Sequence, residues 1–373
     1  MGVGLRHEPA EAVLTRGLSG DEVGGTLCDT ASVPPAPRPT LEDVAARAGV
    51  GRGTASRALS GSTGVRESTR TTVLAAARDL GYRPNAAARS LVTRRTGMVT
   101  LALWEPIDRM FADPFLAATV RGLGRVLRQH DHRLVLLPLE ADDDPTDALD
   151  YLRDGHTDGV VVVSSHGPHD LGTALAGRDV PVVRIGRALH DDGLPWVDVD
   201  NLTGGRLAAE HLLDRGCRSP AHVTGALETH AGWVRRQGYR VALAAAAENV
   251  APREVEGDFS WESGRAGALV IMSSWPDTDG IFAASDAAAT GVLAALADLG
   301  VSVPGRVRVV GFDDSPLSWA SSPRLSTIHQ PIAELGERAG RRLLEVLGIA
   351  GVTTSGSDAA QLLPVRLVER AST

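Results

Sequence analysis

The sequence predicts an all-α headpiece of the helix-turn-helix type, followed by an α/β domain of two lobes with parallel sheets covered by helices. Apolar residues recur at helical spacing from Leu41 to Leu80. From Met98 onward, short β-rich runs alternate with longer amphipathic stretches, which is typical of parallel sheets with helices on both faces. A first series includes predicted strands at Val182–Ile185 and Trp196–Val199 and a helix at Gly204–Leu213, and a second series follows from His222. A helix at Ile332–Leu347 is expected to return the chain across the lobes. A chain of 373 residues is also too long for one compact core, and its 43% hydrophobic content is ordinary for a globular protein.

Residues 1–39 differ in composition from the rest of the chain. They are rich in Gly, Pro, Thr and acidic residues and end in Pro34-Pro35-Ala36-Pro37-Arg38-Pro39. No basic start is followed by an apolar run, so a signal peptide is not expected. We interpret 1–39 as a disordered extension, or as the product of a start codon assigned too early. The two cysteines form no framework, which fits a reducing compartment, the cytoplasm.

Within the stretch 40–96, the central residues 43–57 predict a helix, a tight turn and a second helix. One face of the first helix is apolar, formed by Leu41, Val44, Ala45 and Ala48. Gly49 can adopt the positive φ that ends a helix, and Val50 is apolar at the corner between the helices. The second helix carries Thr54, Ser56 and Arg57 and has little apolar surface of its own. In a helix-turn-helix, that second helix enters the major groove of DNA.

Charge supports an interaction of this region with phosphate. Residues 40–97 contain ten arginines and four acidic residues, a net charge of +6 within a chain of net charge −8. A basic island in an acidic protein is the electrostatic signature of nucleic-acid binding. The alternative is a solvated helical bundle whose charges only keep it soluble.

After a third predicted helix, Glu67 to Leu80, the sequence indicates a break and then a short segment of its own. Gly81 ends the helix and Pro84 prevents its continuation. The segment 85–91 begins with Asn85 as a cap, continues with alanines and ends in the apolar Leu91. Seven residues are too few for a helix that is stable alone, so we expect this segment to order on binding.

In the large domain, the ends of the predicted strands mark a ligand site. In open α/β sheets, ligands bind outside the carboxyl ends of the strands. Residues at or beside those ends, or at the start of the following helices, are Trp104, Asp113, Phe115, Ser164, Arg235, Ser285, Asp286 and Asp313. A buried arginine and aspartate can bind vicinal hydroxyls through charge-assisted bonds. The alternatives are a strand-end cap or interlobe salt bridge for Asp313, and simple core packing for Trp104.

The patterns that would indicate catalysis are missing. The sequence has no Gly-x-Gly-x-x-Gly after a strand, no Walker pattern and no Gly-x-Ser-x-Gly elbow. Its histidines are scattered without metal-ligand spacing. No apolar run is long enough to span a membrane. We therefore expect no enzyme, cofactor, metal or membrane association.

The headpiece motifs resemble those of the lactose-repressor/galactose-repressor (LacI-type) transcription regulators. The matching residues run Thr40-Leu41-x-Asp43-Val44-Ala45, Ala48-Gly49-Val50, Thr54-x-Ser56-Arg57 and Leu80-Gly81-Tyr82-Arg83-Pro84-Asn85-Ala86-Ala87-Ala88-Arg89-Ser90-Leu91. The resemblance implies DNA contacts by Thr40, Arg52, Gly53, Thr54, Ser56, Arg57, Asn85, Ala88 and Leu91, with Leu91 as a minor-groove wedge. Gly51 departs from the family, which usually has Ser there as the helix cap, and so does Gly53 within the helix.

The large domain resembles the same family, and its two lobes resemble periplasmic sugar-binding proteins. The matching motifs include Asp158-Gly159-Val160-Val161, Val199-Asp200-Asn201, Ser285-Asp286, Gly311-Phe312-Asp313-Asp314 and Gln330-Pro331. The resemblance implies that Arg235, Ser285 and Asp313 line an effector cleft and that Phe115 packs on a sugar ring. It also implies boundaries: 40–84 for the helix-turn-helix domain, 85–96 for a hinge helix and linker, and 97–373 for a periplasmic-binding-protein-like domain for effector binding and dimerisation.

The expected function is that of a cytoplasmic, ligand-responsive regulator, a repressor by family resemblance. We expect a homodimer that binds a near-palindromic operator and changes affinity when a small molecule, a sugar by resemblance, binds between the lobes. The alternative is a periplasmic-type sugar-binding protein without a regulatory role, against which the headpiece and the missing signal peptide argue. An enzyme is a distant third interpretation, which turnover of the ligand by the purified protein would revive.

Overall fold

The computed structural model describes residues 39–62, 64–83, 95–140, 143–163, 170–246, 250–352 and 360–373. The chain divides into two compact units, Met1–Pro84 and Asn85–Thr373. None of the helices within the described residues is both long and apolar enough to cross a bilayer.

Within its described residues, the first unit contains three helices, α1 (Leu41–Arg47), α2 (Arg52–Leu59) and α3 (Glu67–Asp79). Thr40 caps α1 in a reciprocal capping box with Asp43, and Gly49 closes the turn after it at φ +65°. The three helices bury a small core of Val44, Ala45, Ala55, Ala58, Val73, Ala76 and Ala77. The predicted helix-turn-helix with a third packing helix is confirmed.

The second unit is an alternation of strands and helices. Its strands are β1 (Met98–Trp104), β2 (Arg133–Leu139), β3 (Gly159–Val163), β4 (Val182–Ile185), β5 (Trp196–Val199), β6 (Pro220–Val223), β7 (Arg253–Val255), β8 (Gly280–Ala283), β9 (Arg308–Asp313), β10 (Ser326–His329), β11 (Ala360–Leu363) and β12 (Arg366–Val368). Its helices are α4 (Ile107–Ala112), α5 (Pro114–Gln129), α6 (Pro145–Arg153), α7 (Leu171–Leu175), α8 (Asn201–Asp214), α9 (His230–Ala245), α10 (Trp261–Ser274), α11 (Asp286–Asp298), α12 (Pro316–Ala320) and α13 (Ile332–Val346).

The strands of the described segments form two six-stranded sheets, one in each lobe. The first has the order β11-β5-β4-β3-β1-β2 and is parallel throughout. The second has the order β12-β10-β9-β8-β6-β7, and only the β10–β12 pair is antiparallel. Strand β3 is buried along its whole length, as expected for a strand covered on both faces. The two-lobed α/β fold is confirmed.

The chain passes between the lobes three times. After β5 it enters α8, which packs against α9 in the second lobe. After β10 it returns to the first lobe in α13, which packs against α5, as predicted for this segment. It crosses once more between β11 and β12.

The helix expected at Gly204–Leu213 was grouped with the first series of strands, and that grouping is wrong. Helix α8 lies on the second sheet because its two glycines allow close approach to that lobe. A Cβ atom at Gly205 would lie 2.1 Å from the Arg235 carbonyl oxygen, and one at Gly204 would lie 2.5 Å from the Phe312 ring. Any other residue would push the helix away.

Helices α5 and α13 in the first lobe approach equally closely. A Cβ atom at Gly122 would lie 2.0 Å from the Ala333 carbonyl oxygen, and one at Gly336 would lie 2.5 Å from the Thr119 carbonyl oxygen. Each helix therefore presents a glycine to the backbone of the other, and this close contact holds α13 against α5 of the first lobe.

Candidate functional site

Helix α2 carries five of the nine residues predicted to contact DNA. Ala55 and Ala58 face the core, whereas Arg52, Gly53, Ser56 and Arg57 are exposed and Thr54 is half-buried. Arg57 donates from Nε to the Gly53 carbonyl oxygen at 3.2 Å, which lays its side chain along the helix. The prediction that this helix keeps little apolar surface of its own agrees with the structure.

The first turn of α2 is unusually open. Its N-cap is Gly51, which makes no side-chain capping bond, and nothing lies within 4 Å of a Cβ atom built at Gly51 or Gly53. The Arg52 Nε atom lies 2.9 Å from Oε1 of Glu42 on α1, and both side chains are exposed. Thr40, also exposed, uses its hydroxyl to cap α1, where it accepts a hydrogen bond from the Asp43 amide.

Four predicted site residues, three for DNA and one for the ligand, lie outside the part of the chain that the structure describes. Asn85, Ala88 and Leu91 of the expected hinge helix lie outside the described residues, as does Ser164. The 85–96 hinge and its minor-groove wedge therefore stay predictions.

The second candidate site is a cavity of about 380 Å³ between the lobes, at the carboxyl ends of both sheets. The first two of the three crossing segments contribute to its wall, through Asn201 and Gln330. Among its lining residues are six of the eight predicted by the strand-end rule: Trp104, Asp113, Phe115, Arg235, Ser285 and Asp313. The volume falls within the range of small-molecule pockets.

Asp286 differs from the prediction because it lies beneath the cavity and not on its wall. It is fully buried, and its carboxylate accepts hydrogen bonds from the Ser315 amide at 2.7 Å and the Thr327 hydroxyl at 2.6 Å. Burial raises the pKa of Asp286 to about 7. Its neighbour Ser285 does line the cavity, but the hydroxyl caps α11 and donates to the Phe259 carbonyl oxygen at 2.6 Å.

Arg235 lies at the base of the cavity and is only 5% exposed. Its Nε donates to Asn201 Oδ1 at 2.8 Å and its Nη1 to the Ala284 carbonyl oxygen, while the guanidinium stacks on the Phe312 ring at 3.5 Å. Burial lowers the pKa of Arg235, and the nearby Asp313 carboxylate opposes that shift most strongly. The arginine is thus held rigidly by the second lobe.

Asp313 lies at the end of β9 with an unusual backbone, at φ +121°. Gln330 donates to its Oδ1 at 2.5 Å, so the carboxyl group is fixed from the second crossing segment. Burial raises the pKa of Asp313 well above its ordinary value, and Arg235 opposes this shift. Strain of this kind in a non-glycine residue is concentrated at functional sites.

A third group of polar residues at the cavity was missed by the sequence analysis. Asp198 accepts a hydrogen bond from Asn201 Nδ2 at 3.0 Å, and its other oxygen lies 3.3 Å from Arg187 Nε and 3.6 Å from His230 Nδ1. Burial raises the pKa of Asp198 and lowers that of His230. Asn201 therefore links Asp198 of the first lobe to Arg235 of the second. The strand-end rule, applied to β5 and β10, would have found Asp198 and Gln330.

Aromatic rings cover the apolar part of the wall. Trp104 and Phe115 come from the first lobe, and Phe259 comes from the loop after β7. Phe259 has a left-handed backbone at φ +72°, and its ring packs where a Cβ atom at Gly225 would lie, only 2.0 Å away. Gly225 thus makes room for a ring that the sequence analysis did not identify.

The arginines lining the cavity lie near protein carboxylates. Arg109 lies 3.4 Å from Glu105 and 3.7 Å from Asp258, so it also bridges the two lobes. The other pairs are Arg184 with Asp170 and Asp192, Arg187 with Asp198, and Arg235 with Asp313. Among the described residues, the lining contains six carboxylates and four arginines, so this part of the wall offers no excess of positive charge to an anion.

Comparisons with known proteins match both units of the chain. Residues 40–85 match the family described as bacterial regulatory proteins, lacI family, and residues 209–373 match a periplasmic binding protein-like domain. A similar relative is the HTH-type transcriptional regulator CelR of Thermobifida fusca, 40% identical over 89% of this chain and 95% of its own.

Two solved structures are similar over the same span. The transcriptional regulator CelR–cellobiose complex superposes with a TM-score of 0.69 at 36% identity, covering 90% of this chain and 100% of that one. The lac repressor dimer bound to operator and the anti-inducer ONPF has a TM-score of 0.77 at 27% identity, covering 90% and 99%. With a matching headpiece, a matching two-lobed domain and a relative at 40% identity over nearly its full length, this chain belongs to the lacI family of bacterial regulatory proteins.

Proposed function

We propose that this protein is a ligand-responsive transcriptional regulator, acting as a repressor, that binds a near-palindromic operator as a homodimer. The observation that carries this proposal is the presence, in one chain, of an arginine-rich helix-turn-helix and a polar cleft between two lobes. A periplasmic-type binding protein without a regulatory role would have no use for the headpiece. The relatives named above are regulators, which supports a binding function and not a catalytic one. It also supports a location in the cytoplasm.

On the DNA side, Arg52, Gly53, Thr54, Ser56 and Arg57 form the surface that would enter the major groove. Arginines in this region supply the phosphate contacts that dominate affinity and its salt dependence. We propose that residues 85–96 form a hinge in which Leu91 wedges between base pairs of the operator. The operator-bound lac repressor dimer supports two-fold binding by this chain as well.

On the effector side, we infer an uncharged, polyhydroxylated ligand, a sugar. The arginines of the wall already have carboxylate partners, so a phosphate or carboxylate on the ligand would have to displace one of them. Asp113, Asp198 and Asp313 provide acceptors for hydroxyl groups, and Trp104 and Phe115 provide apolar faces for a sugar ring. The cellobiose complex of CelR supports a neutral sugar in particular.

The first prediction tests the coupling of ligand to operator. A DNA site selected from random sequence is titrated with protein, alone and with each of a panel of neutral monosaccharides and disaccharides including cellobiose. We expect an inverted-repeat site and one sugar that changes operator affinity by about 5–150-fold. The proposal fails if selection yields no inverted repeat, or if no sugar of the panel alters operator affinity.

Two matched substitutions locate the site of that response. Asp113 and Asp144 both cap a helix that begins with proline, and their side chains accept hydrogen bonds from Phe115 and Thr146 amides respectively. Asparagine preserves such a cap. Because Asp113 lines the cavity and Asp144 does not, Asp113→Asn should weaken the sugar response about tenfold or more while Asp144→Asn leaves it unchanged. These variants are easier to interpret than Arg235→Ala, because that substitution would leave Asp313 buried without its countercharge and would destabilise the fold.

A further inference from the structure

The ion pair between Glu42 and Arg52 joins the first helix of the headpiece to the helix expected in the major groove. Glu42 is in the first turn of α1, and Arg52 is the first residue of α2. The contact is made through Nε, with Oε1 of Glu42 at 2.9 Å. Among the residues that the structure describes, no hydrogen-bond partner is found for the two terminal nitrogens of Arg52, and its side chain is 72% exposed.

That geometry matters because of what an arginine must do to identify a base. N-terminal residues of a recognition helix reach base edges, and the commonest specific contact is arginine donating two bonds to O6 and N7 of guanine. An exposed arginine samples many rotamers and can equally well turn to a phosphate. A carboxylate beside Nε restricts those rotamers and leaves the two terminal nitrogens as donors for one planar acceptor edge.

Glu42 is the neighbouring residue whose carboxylate is available to orient the Arg52 guanidinium. The neighbouring acid, Asp43, is committed to the capping box, where its carboxylate accepts from both the amide and the hydroxyl of Thr40. Gly51 and Gly53, on either side of Arg52, have no side chain that could guide the guanidinium. Within the described part of the headpiece, Glu42 is therefore the only residue found in a polar contact that orients Arg52.

We propose that Glu42 is a positioning residue for operator specificity, holding Arg52 so that it contacts guanine in preference to other bases and to phosphate. This inference rests on the proposed DNA-binding function and adds a determinant outside the recognition helix. The carboxylate lowers affinity for DNA in general, because it repels phosphate, and raises the discrimination between sites. Glu42 acts only through Arg52 and needs no contact with DNA.

The same headpiece contains a matched control. Asp79 of α3 pairs with Arg47 of α1 at 3.7 Å, and its exposure is nearly that of Glu42, 59% against 58% of the side chain. Arg47 is not on α2. Asp79→Asn therefore removes the same negative charge from the same unit without touching Arg52.

The experiment selects binding sites from random DNA with the full chain, as wild type, Glu42→Gln, Asp79→Asn, Arg52→Ala and the Glu42→Gln/Arg52→Ala double variant. Relative affinities for the four bases at each position, and affinity for non-specific DNA at several salt concentrations, are then measured. Both charge-removing variants should bind non-specific DNA more tightly. Only Glu42→Gln should lower the guanine preference at one position of each half-site, by about two- to fivefold, the size expected of an exposed ion pair.

The double variant separates positioning from a direct role. If Glu42 acts through Arg52, Glu42→Gln should change no base preference in the Arg52→Ala background. The proposal is overturned if Glu42→Gln behaves like Asp79→Asn, or if it still shifts base preference when Arg52 is absent. A wild-type protein that selects no inverted repeat would instead overturn the DNA-binding function itself, which is a different result.

Discussion

His222 illustrates how a single buried residue can set the pH range in which the protein is stable. It lies within β6, with its ring stacked on Phe282 at 4.3 Å and its Nδ1 2.9 Å from the Phe282 carbonyl oxygen. A carbonyl can only accept, so the neutral ring carries its proton on Nδ1. Nε2 is buried and has no hydrogen-bond partner among the described residues. Burial lowers the pKa of His222 from its ordinary 6.5 to about 4.

The pH dependence follows from that shift. Between about pH 6.5 and 4, His222 is protonated in the unfolded chain but neutral in the folded protein. The free energy of unfolding therefore has its full value above pH 6.5 and decreases as the pH falls. This single group should cost on the order of 3 kcal/mol across that range. Urea unfolding at several pH values should show a shallower loss for His222→Asn than for wild type. An unchanged slope would mean that His222 is protonated in the folded protein.

Individual residues of the cleft differ in whether their positions could be predicted from the sequence. Asp113, Arg235 and Asp313 could be predicted because strand ends and helix starts are local features. The burial of Asp286 could not, because it depends on a hydroxyl from Thr327, 41 residues further along the chain. The position of Phe259 depends on a left-handed backbone and on the space left by Gly225, neither of which has a periodic pattern.

At the scale of elements, α5 provides a controlled comparison between two buried glycines. A Cβ atom at Gly122 would clash with the Ala333 backbone of α13, whereas one at Gly124 would meet only side-chain atoms at 3.7 and 3.8 Å, ordinary contact distances. Gly122→Ala should therefore destabilise the large domain by about 1–3 kcal/mol or more. Gly124→Ala should stabilise it by up to about 1 kcal/mol, since alanine favours the helix.

Denaturant unfolding of the two variants, followed by a signal from the large domain, checks this expectation. Equal effects of the two substitutions would show that the backbone contact between α5 and α13 is looser than the structure indicates. The comparison is internal to one helix, so differences in helix propensity cancel.

Most strands and helices could be predicted to within a few residues from their apolar patterns, and β4 and β5 were predicted with their observed bounds. Strands β11 and β12 were not predicted. They are short, and each is defined by pairing with a distant strand: β11 with β5, and β12 with β10 in antiparallel register. Such pairing is non-local and leaves no period in a run of three or four residues.

For the whole molecule, thermodynamic linkage makes a prediction that is independent of how the signal travels. If a sugar changes operator affinity by a given factor, operator must change sugar affinity by the same factor. Titration calorimetry with the active sugar, with and without saturating operator, should therefore return the ratio seen in the operator titrations. A ratio that differs between the two directions would show that one titration follows another process, such as a change in oligomeric state.

The three crossings between the lobes also dictate an order of events during synthesis. Neither lobe is a continuous piece of chain: the first sheet needs β11, and its covering helix α13 begins only at Ile332. On the ribosome, the first lobe must therefore wait for nearly the entire polypeptide, with the exposed edge of β5 unpaired until Ala360–Leu363 emerges. The headpiece, whose three helices end at Asp79, is complete long before. A nascent chain would thus display a folded DNA-binding unit while its sensor is still unfinished.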